Sequence, residues 1–394
     1  MTKDIVLGLG NNIDYEIEWD SAIFENLVHE FGIEYSEIHP VGEVQTQRDL
    51  IISILSYMKE GKGGECFVRS SQIIEDFSKA FRKKITLGGT SVRAAIAMSK
   101  IGYSSALHLV TMNDDVRRLL PPDCEYICSA PEENSYPHLI IQFTQNHTIR
   151  VQDKIIRPKQ ANRIIYDNDL DNILMRLDPR LSQLLLNAKV FLISGFNAMQ
   201  DQSLLEDRLE KLLISMENLP KDALVFYEDA CFYNKNFSRI VRDKLLGHIQ
   251  IFSLNEDEFE GYIGRKINLL DPLEVLQSLE VLCKLIPVPK IVLHTQYWAL
   301  AYGRDADSLK KALKGGITMG GTRYRFGDDF TRQNYFEMEK SAPQKEGAQF
   351  SDRINAMKQG EICCLPCVEV NDKNVTTIGL GDAFVGGFLP ALVH

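Results

Sequence analysis

Near its end the chain runs Thr376-Thr377-Ile378-Gly379-Leu380-Gly381-Asp382-Ala383-Phe384-Val385-Gly386-Gly387-Phe388. Glycines let a backbone approach a ligand closely and take dihedrals closed to other residues. The apolar run after Gly381 predicts a helix, and the free N–H groups at a helix start favour a phosphate or a developing anion. Asp382 then stands where a carboxylate can take a proton from an attacking hydroxyl. An acid there can also be a simple helix cap, and a G-x-G-D alone does not choose between the two. Two more polar segments follow apolar runs in the same way: Gly10-Asn11-Asn12-Ile13-Asp14 and Asn255-Glu256-Asp257-Glu258. The first reads as a polar turn unless something binds it. The second puts Asn255 and Glu258 on one helix face at (i, i+3) spacing, or else is an N-cap with acids in its first turn.

The elements that must position these residues can be read from periodicity. Asp4 to Leu9 is apolar and bounded by glycine, as a buried strand would be. Three helices are expected over about 20–31, 45–59 and 70–83. In the second, Leu50, Ile51, Leu55 and Met58 recur at helical spacing, and Gly61, Gly63 and Gly64 break the pattern. Gly88-Gly89 precedes a small-residue helix over Thr90 to Lys100, followed by a strand at Ala106 to Val110. His138 to Phe143 and Thr148 to Val151 predict an antiparallel hairpin, joined at Gln145-Asn146-His147 and lying outside the main sheet. Arg150, Lys154, Arg157, Lys159 and Arg163 follow closely.

From Val190 onward strands and helices alternate. Strands are expected at 190–195, 224–227, 249–254 and 291–294, with helices near 203–217, 235–246, after Asn255 and over 272–285. That alternation predicts βαβ units and a parallel sheet, whose ligands bind beyond the carboxyl ends of the strands. Residues 315–345 are rich in Gly, Arg, Tyr and Asp. Gly320-Gly321-Thr322-Arg323-Tyr324 and Gly327-Asp328-Asp329 read as parts of a long loop. Cys363 to Val370 reads as a last strand leading to the glycine turn.

The chain has 394 residues, enough for one large core and a smaller appended unit. Hydrophobic residues make up 44% and charged residues 25%, which excludes global disorder. With 44 Lys and Arg against 54 Asp and Glu, the net charge is -10. Such a chain is a poor candidate for wrapping nucleic acid, because phosphate contacts need a basic face. No apolar run approaches the roughly 20 residues of a membrane span, and the first residues read as a strand rather than a signal peptide. The eight cysteines are dispersed, so reduced thiols in a cytoplasm are expected. Cys363, Cys364 and Cys367 with Cys124 and Cys128 could in principle bind zinc. Their separation and the lack of finger spacing favour buried thiols.

Thr377 to Phe388 resembles the C-terminal signature of ribokinase-like sugar kinases. The resemblance implies a doubly wound α/β sheet with helices on both faces and a smaller α/β lid. It makes Asp382 the catalytic base and gives Gly379, Leu380 and Gly381 the anion-hole amides. Asn255 and Glu258 match that superfamily's N-x-x-E, which organises Mg²⁺ mainly through water, and Mg²⁺ does prefer oxygen ligands and keeps several waters. Asn12 and Asp14 match its N-x-D at the sugar, and Gly88-Gly89 its G-G-x element in the same pocket. The T-hydrophobic-G-L-G-D form, the chain length, the helical stretch between Asp14 and Gly88, Ser194-Gly195-Phe196 and Asn162-Arg163-Ile164-Ile165 are similar to the ADP-dependent glucokinase and phosphofructokinase family. One departure stands out: where that family often carries H-x-E, this chain has His294-Thr295-Gln296, and Gln296 brings no carboxylate.

The reading is therefore a Mg²⁺-dependent kinase that moves a phosphoryl group, from ADP in preference to ATP, to a hydroxyl of glucose or fructose 6-phosphate. Arg157, Lys159 and Arg163 are candidates for a phosphate already on the substrate, against the plainer reading of a solvated basic face. The large domain is expected over 1–14, 85–130 and 163–394, and the lid over 15–84 and 131–162. Neither nucleic acid nor membrane is expected as a partner, and the sequence leaves the oligomeric state open. The alternatives are an ATP-dependent sugar or nucleoside kinase of the same fold and a non-catalytic sugar or nucleotide sensor.

Overall fold

The computed structural model describes residues 3–372 and 375–393. Among them, nine strands form one large sheet. Its order is Ile362–Pro366, Trp298–Gly303, Lys290–His294, Ile251–Asn255, Leu224–Glu228, Val190–Ile193, Ile5–Leu7, Ala106–Leu109 and Glu125–Cys128. Neighbours from Lys290–His294 to Glu125–Cys128 are parallel, and Trp298–Gly303 is antiparallel to both strands beside it. Successive strand residues face opposite ways, and both faces are apolar. Val6, Phe191, Val225, Phe252 and Leu293 join a cluster with the helices Gln202–Met216, Lys235–Leu245 and Pro272–Leu285. Ile5, Leu7, Leu192, Phe226 and Val292 pack on the other side with Thr90–Lys100, Lys310–Phe326 and Leu380–Phe388. The expected α/β sheet with helices on both faces is present, and every strand and helix expected between 190 and 294 forms within a few residues.

A second sheet of five strands has the order Gly64–Phe67, Asn162–Asp167, His138–Phe143, Asn12–Ile17 and Lys83–Gly88. One of its faces is apolar. Ile17, Leu139, Ile141, Phe143, Ile164 and Tyr166 pack there with residues of the helices Ser21–Glu30, Gln47–Glu60 and Ser71–Ser78. The other face is polar, as suits a sheet covered on one side.

Several expectations are corrected. His138–Phe143 does not pair with the segment after it. It lies between Asn162–Asp167 and Asn12–Ile17. Ile149–Val151 instead turns at Gln152-Asp153 and pairs with Lys154–Ile156, because a two-residue hairpin closes more locally than the loop around Asn146. The helix expected over 70–83 ends at Ser78, and the alternating residues Lys83–Gly88 form a strand. Gly64–Phe67 is an edge strand rather than a mere break. The expected boundaries after residues 14, 84 and 162 cut through or abut strands of the second sheet, which each side of the boundary needs for pairing.

The segment 315–345 is not a long loop. Lys310–Phe326 and Arg332–Met338 are helices joined by a short 3₁₀ turn at Gly327–Asp329. Its glycines serve packing: a Cβ on Gly315 would stand 2.3 Å from the Gly387 carbonyl oxygen, and one on Gly316 2.6 Å from the Phe384 ring. Side chains at these two positions would force the helix away from Leu380–Phe388, while a Cβ on Gly321 of the same helix would stand 2.4 Å from the Val368 side chain.

Candidate active site

The first strand, Ile5–Leu7, lies where the large sheet changes direction: later strands add to one side as far as Glu125–Cys128, then to the other from Val190–Ile193. Open α/β sheets bind ligands at such a point. The chain leaves this strand and crosses at once to the second sheet. Asn11 holds the crossing, accepting from the Val110 and Thr111 amides at 3.0 and 3.1 Å. Between the two sheets opens a cavity of about 1500 Å³. That exceeds the roughly 300–1,000 Å³ of a site for one small ligand, so two substrates fit side by side.

Asp382 is the third residue of Leu380–Phe388 and lines this cavity. Gly379 occupies the N-cap position at φ +62 and contributes no side-chain cap. Asp382 is thus not the cap, and among the described residues no hydrogen bond engages its carboxylate. The charged group beside it is Arg93, whose Nε is 3.8 Å from Asp382 Oδ2. Gly379, Leu380 and Gly381 line the cavity with it, their amides at the helix start where an anion is favoured.

Asn12 and Asp14 come from the second sheet. Asn12 Nδ2 donates to Asp14 Oδ1 at 2.5 Å, and Arg93 Nη2 donates to Asp14 Oδ2 at 2.6 Å. Gly88 is the register partner of Asn12. A Cβ on Gly88 would fall 2.2 Å from Asn12 Nδ2 and 2.6 Å from Asp14 Oδ2, so glycine is needed for these side chains to lie across the strand. Gly89 starts the helix carrying Arg93. All four predicted binding positions, Asn12, Asp14, Gly88 and Gly89, line the cavity. The three basic candidates separate. Arg163 lines it, with Nη1 donating to the Thr377 carbonyl at 3.3 Å. Arg157 and Lys159 are exposed and lie outside the lining.

Asn255 and Glu258 form a capping box. Asn255 Oδ1 accepts from the Asp257 and Glu258 amides, and Glu258 Oε2 accepts from the Asn255 amide at 2.8 Å. Both still line the cavity, beside Glu228, Asp229, Glu256 and His294. Burial, reinforced by Asp229 and Glu228, pushes the Glu258 carboxyl well above its ordinary value. Burial likewise pushes Asp229 up to about 6, against the hydrogen bond from Tyr262. His294 Nε2 is 2.9 Å from Glu228 Oε1. Burial alone would lower this imidazole, but Glu228 more than offsets it and the net shift is upward. The other Glu228 oxygen, Oε2, is buried with no partner among the described residues. Gln296 lines the cavity and donates its backbone N–H to Glu256 at 3.3 Å.

Sequence reasoning missed Arg93, Glu65, His138, Asp167, Glu228 and Asp229, all of which line the cavity. Glu228 and Asp229 end an expected strand and could have been flagged by position alone. The others carry no local signal. Glu65, His138 and Asp167 lie on strands whose pairing the sequence does not disclose.

A family model described as the ADP-specific phosphofructokinase/glucokinase conserved region matches residues 3–389. The chain belongs to that family. Its members are ADP-dependent sugar kinases, so the protein is a phosphotransferase of this family. No match was found among curated protein sequences. Among solved structures, the chain is similar to a hypothetical ADP-dependent phosphofructokinase from Pyrococcus horikoshii OT3, at 17% identity and a TM-score of 0.78, covering 99% of this chain and 98% of that one. A phosphofructokinase from the same organism, solved with AMP, gives 17% identity and 0.79 over the same shares. An ADP-dependent kinase in complex with fructose 6-phosphate and ADPβS gives 12% and 0.73, covering 100% of this chain and 94% of that one. At these identities the likeness concerns the fold, and it extends over both sheets of this family member.

Proposed function

We propose that the protein transfers the β-phosphoryl group of ADP to a hydroxyl of an uncharged hexose such as glucose, releasing AMP. The observation that carries the acceptor choice is the set of hydrogen-bonding carboxylates on the second sheet's polar face. Asp14, Glu65 and Asp167 line the cavity there with His138. Carboxylates accept hydrogen bonds from the several hydroxyls of a sugar. His138 Nε2 is 3.2 Å from Asp169 Oδ2. Burial would lower its pKa, but Asp169 and Asp167 raise it to about 9, so it donates from both ring nitrogens at neutral pH. A second reading, fructose 6-phosphate, has Arg163 in its favour as the predicted cation that lines the cavity.

In this reading Asn12 and Asp14 hold the sugar, and Asp382 accepts the proton of the attacking hydroxyl. The Gly379, Leu380 and Gly381 amides receive the charge that develops on the moving group. The two sheets approaching over the cavity would exclude water, the competing acceptor, with the five-stranded sheet and its helices as the lid. Among the described residues no three His, Cys, Asp or Glu side chains are placed to chelate a metal. The oxygen donors of Glu228, Glu256 and Glu258, with the unpartnered Glu228 Oε2, nevertheless fit a Mg²⁺ that keeps its waters. Such an ion would neutralise charge on the donor phosphates.

The test is AMP formation with Mg²⁺ from ADP or ATP, with glucose or fructose 6-phosphate offered in parallel. Glucose-dependent AMP from ADP is the expected result. Turnover with fructose 6-phosphate alone would transfer the acceptor role to the Arg163 reading, and turnover with ATP alone would overturn the donor. Nucleotide binding without turnover across a sugar panel would replace the kinase with a sensor.

A further inference from the structure

Arg93 has no part in the motifs that point to a kinase. It lies in the helix Thr90–Lys100, whose sequence Thr90-Ser91-Val92-Arg93-Ala94-Ala95 gives no sign of a site. Yet its side chain is only 6% exposed, and four carboxylates surround its guanidinium. Asp14 is 2.6 Å away and Glu16 3.7 Å, both on the strand Asn12–Ile17. Asp328, in the turn after Lys310–Phe326, is 3.9 Å away, and Asp382, on Leu380–Phe388, is 3.8 Å away. Asp328 also pairs with Arg323 and Lys84. Thr86 donates to Glu16. Asn12 donates to Asp14 from the same strand, and Lys100 donates to the Asp328 and Phe330 carbonyls.

Two of the four carboxylates are the ones the proposed reaction uses, and they come from different sheets. Asp14 belongs to the five-stranded sheet and Asp382 to a helix of the large one. Arg93 bridges them from the helix that begins where the two sheets meet, at Gly89. The turn is shaped for the bridge: a Cβ on Gly379 would stand 2.9 Å from Arg93 Cδ, 3.0 Å from Nη1 and 3.2 Å from Asp382 Oδ2. Glycine at 379 thus lets the guanidinium pass between the turn and the base.

Building on the functional reading above, we infer that Arg93 is a positioning residue of the transfer reaction, setting the sugar-binding Asp14 and the base Asp382 against each other across the cleft. A planar guanidinium carries donors along a fork and can serve two carboxylates in fixed directions. A buried arginine with four acids would merely neutralise them if its role were structural. The pairing of one acceptor-binding and one proton-accepting group on the same cation gives it a kinetic signature. Displacing it should move the acceptor relative to the base and leave the donor's binding alone.

The experiment compares steady-state kinetics of the full chain with Arg93→Lys and Arg93→Met. Removing one partner of a buried charge group destabilises a fold, so Arg93→Met serves only if its melting transition stays cooperative. Arg93→Lys keeps the charge but not the fork. It is expected to raise the hexose KM and lower kcat by about tenfold or more each, because sub-ångström misplacement is costly, with the ADP KM within about twofold. Combining Arg93→Lys with Asp14→Asn should then add little to the hexose KM beyond the larger single effect. An unchanged hexose KM in Arg93→Lys, or equal rises in both KM values, overturns the inference while wild-type turnover keeps the kinase reading. If the wild-type protein phosphorylates neither a hexose nor a hexose phosphate, the kinase reading fails and the inference with it.

Discussion

Across the cleft the protein presents groups in two different ways. On the five-stranded sheet they stand on strand faces: Asn12 and Asp14 from one strand, Arg163 and Asp167 from another, and His138 from the strand between them, at alternating positions. On the large sheet they stand at strand ends and helix starts: Glu228, Asn255, Glu258, His294, and the Gly379–Asp382 turn. A strand face sets side chains in a lattice fixed by register, suited to the several hydroxyls of a sugar. Strand ends and helix starts offer backbone amides and aligned dipoles, suited to phosphates. The difference teaches how the proposed reaction would divide its work: one wall would read the acceptor while the other handles charge in transfer.

Substitutions can break or sharpen that division. The largest effect is expected for Asp382→Asn, which should lower kcat by about 10³-fold, within the range typical of a removed general base, with a melting transition that stays cooperative. Substantial residual turnover would remove Asp382 as the base. On the opposite wall, Asp14→Asn should raise the hexose KM by roughly 10–100-fold, as befits a lost charged hydrogen bond, and leave the ADP KM nearly unchanged. A matched rise in the ADP KM would erase the division of labour. Gly387→Ala tests the support behind the large-sheet wall. Its Cβ would lie 2.2 Å from the Gly315 carbonyl oxygen. Urea unfolding should show a loss of about 1–3 kcal/mol, the usual cost of overpacking.

The smallest effect concerns pH. His138 has its folded-state pKa raised to about 9, so its contribution to stability is fully present below its ordinary value and is lost as pH rises through about 9. Melting curves from pH 6 to 10 should show wild type losing stability relative to His138→Gln as the pH passes about 9. Parallel curves would mean the imidazole is not charged in the folded protein.

The large sheet was legible because parallel strands buried on both faces read as continuous apolar runs, and their helices keep a 3.6-residue period. Val190–Ile193, Leu224–Glu228 and Lys290–His294 needed no partner to be recognised. The second sheet was only half legible. His138–Phe143 is plainly a strand, but its neighbours come from residues 12–17 and 162–167, and no local pattern names a partner so distant. The segment 315–345 misled for a related reason. Its glycines look like loop residues until the helix opposite is in place, when they become the contact surface.

By itself the sequence determined the glycine turn and the place of Asp382 in the first turn of the helix after it, because a tight turn into a helix N-terminus is a local structure whose residue types are dictated by backbone geometry. It also determined Asn12, Asp14 and the acids after Leu254 as candidates, because they follow apolar strands. Only the tertiary structure decided which of Arg157, Lys159 and Arg163 reaches the cavity. It likewise decided that Asn255 and Glu258 cap each other, and that Arg93 stands between Asp14 and Asp382. These are matters of side chains far apart in the chain meeting across a cleft, and burial and charge act there through distances that spacing along the sequence does not encode.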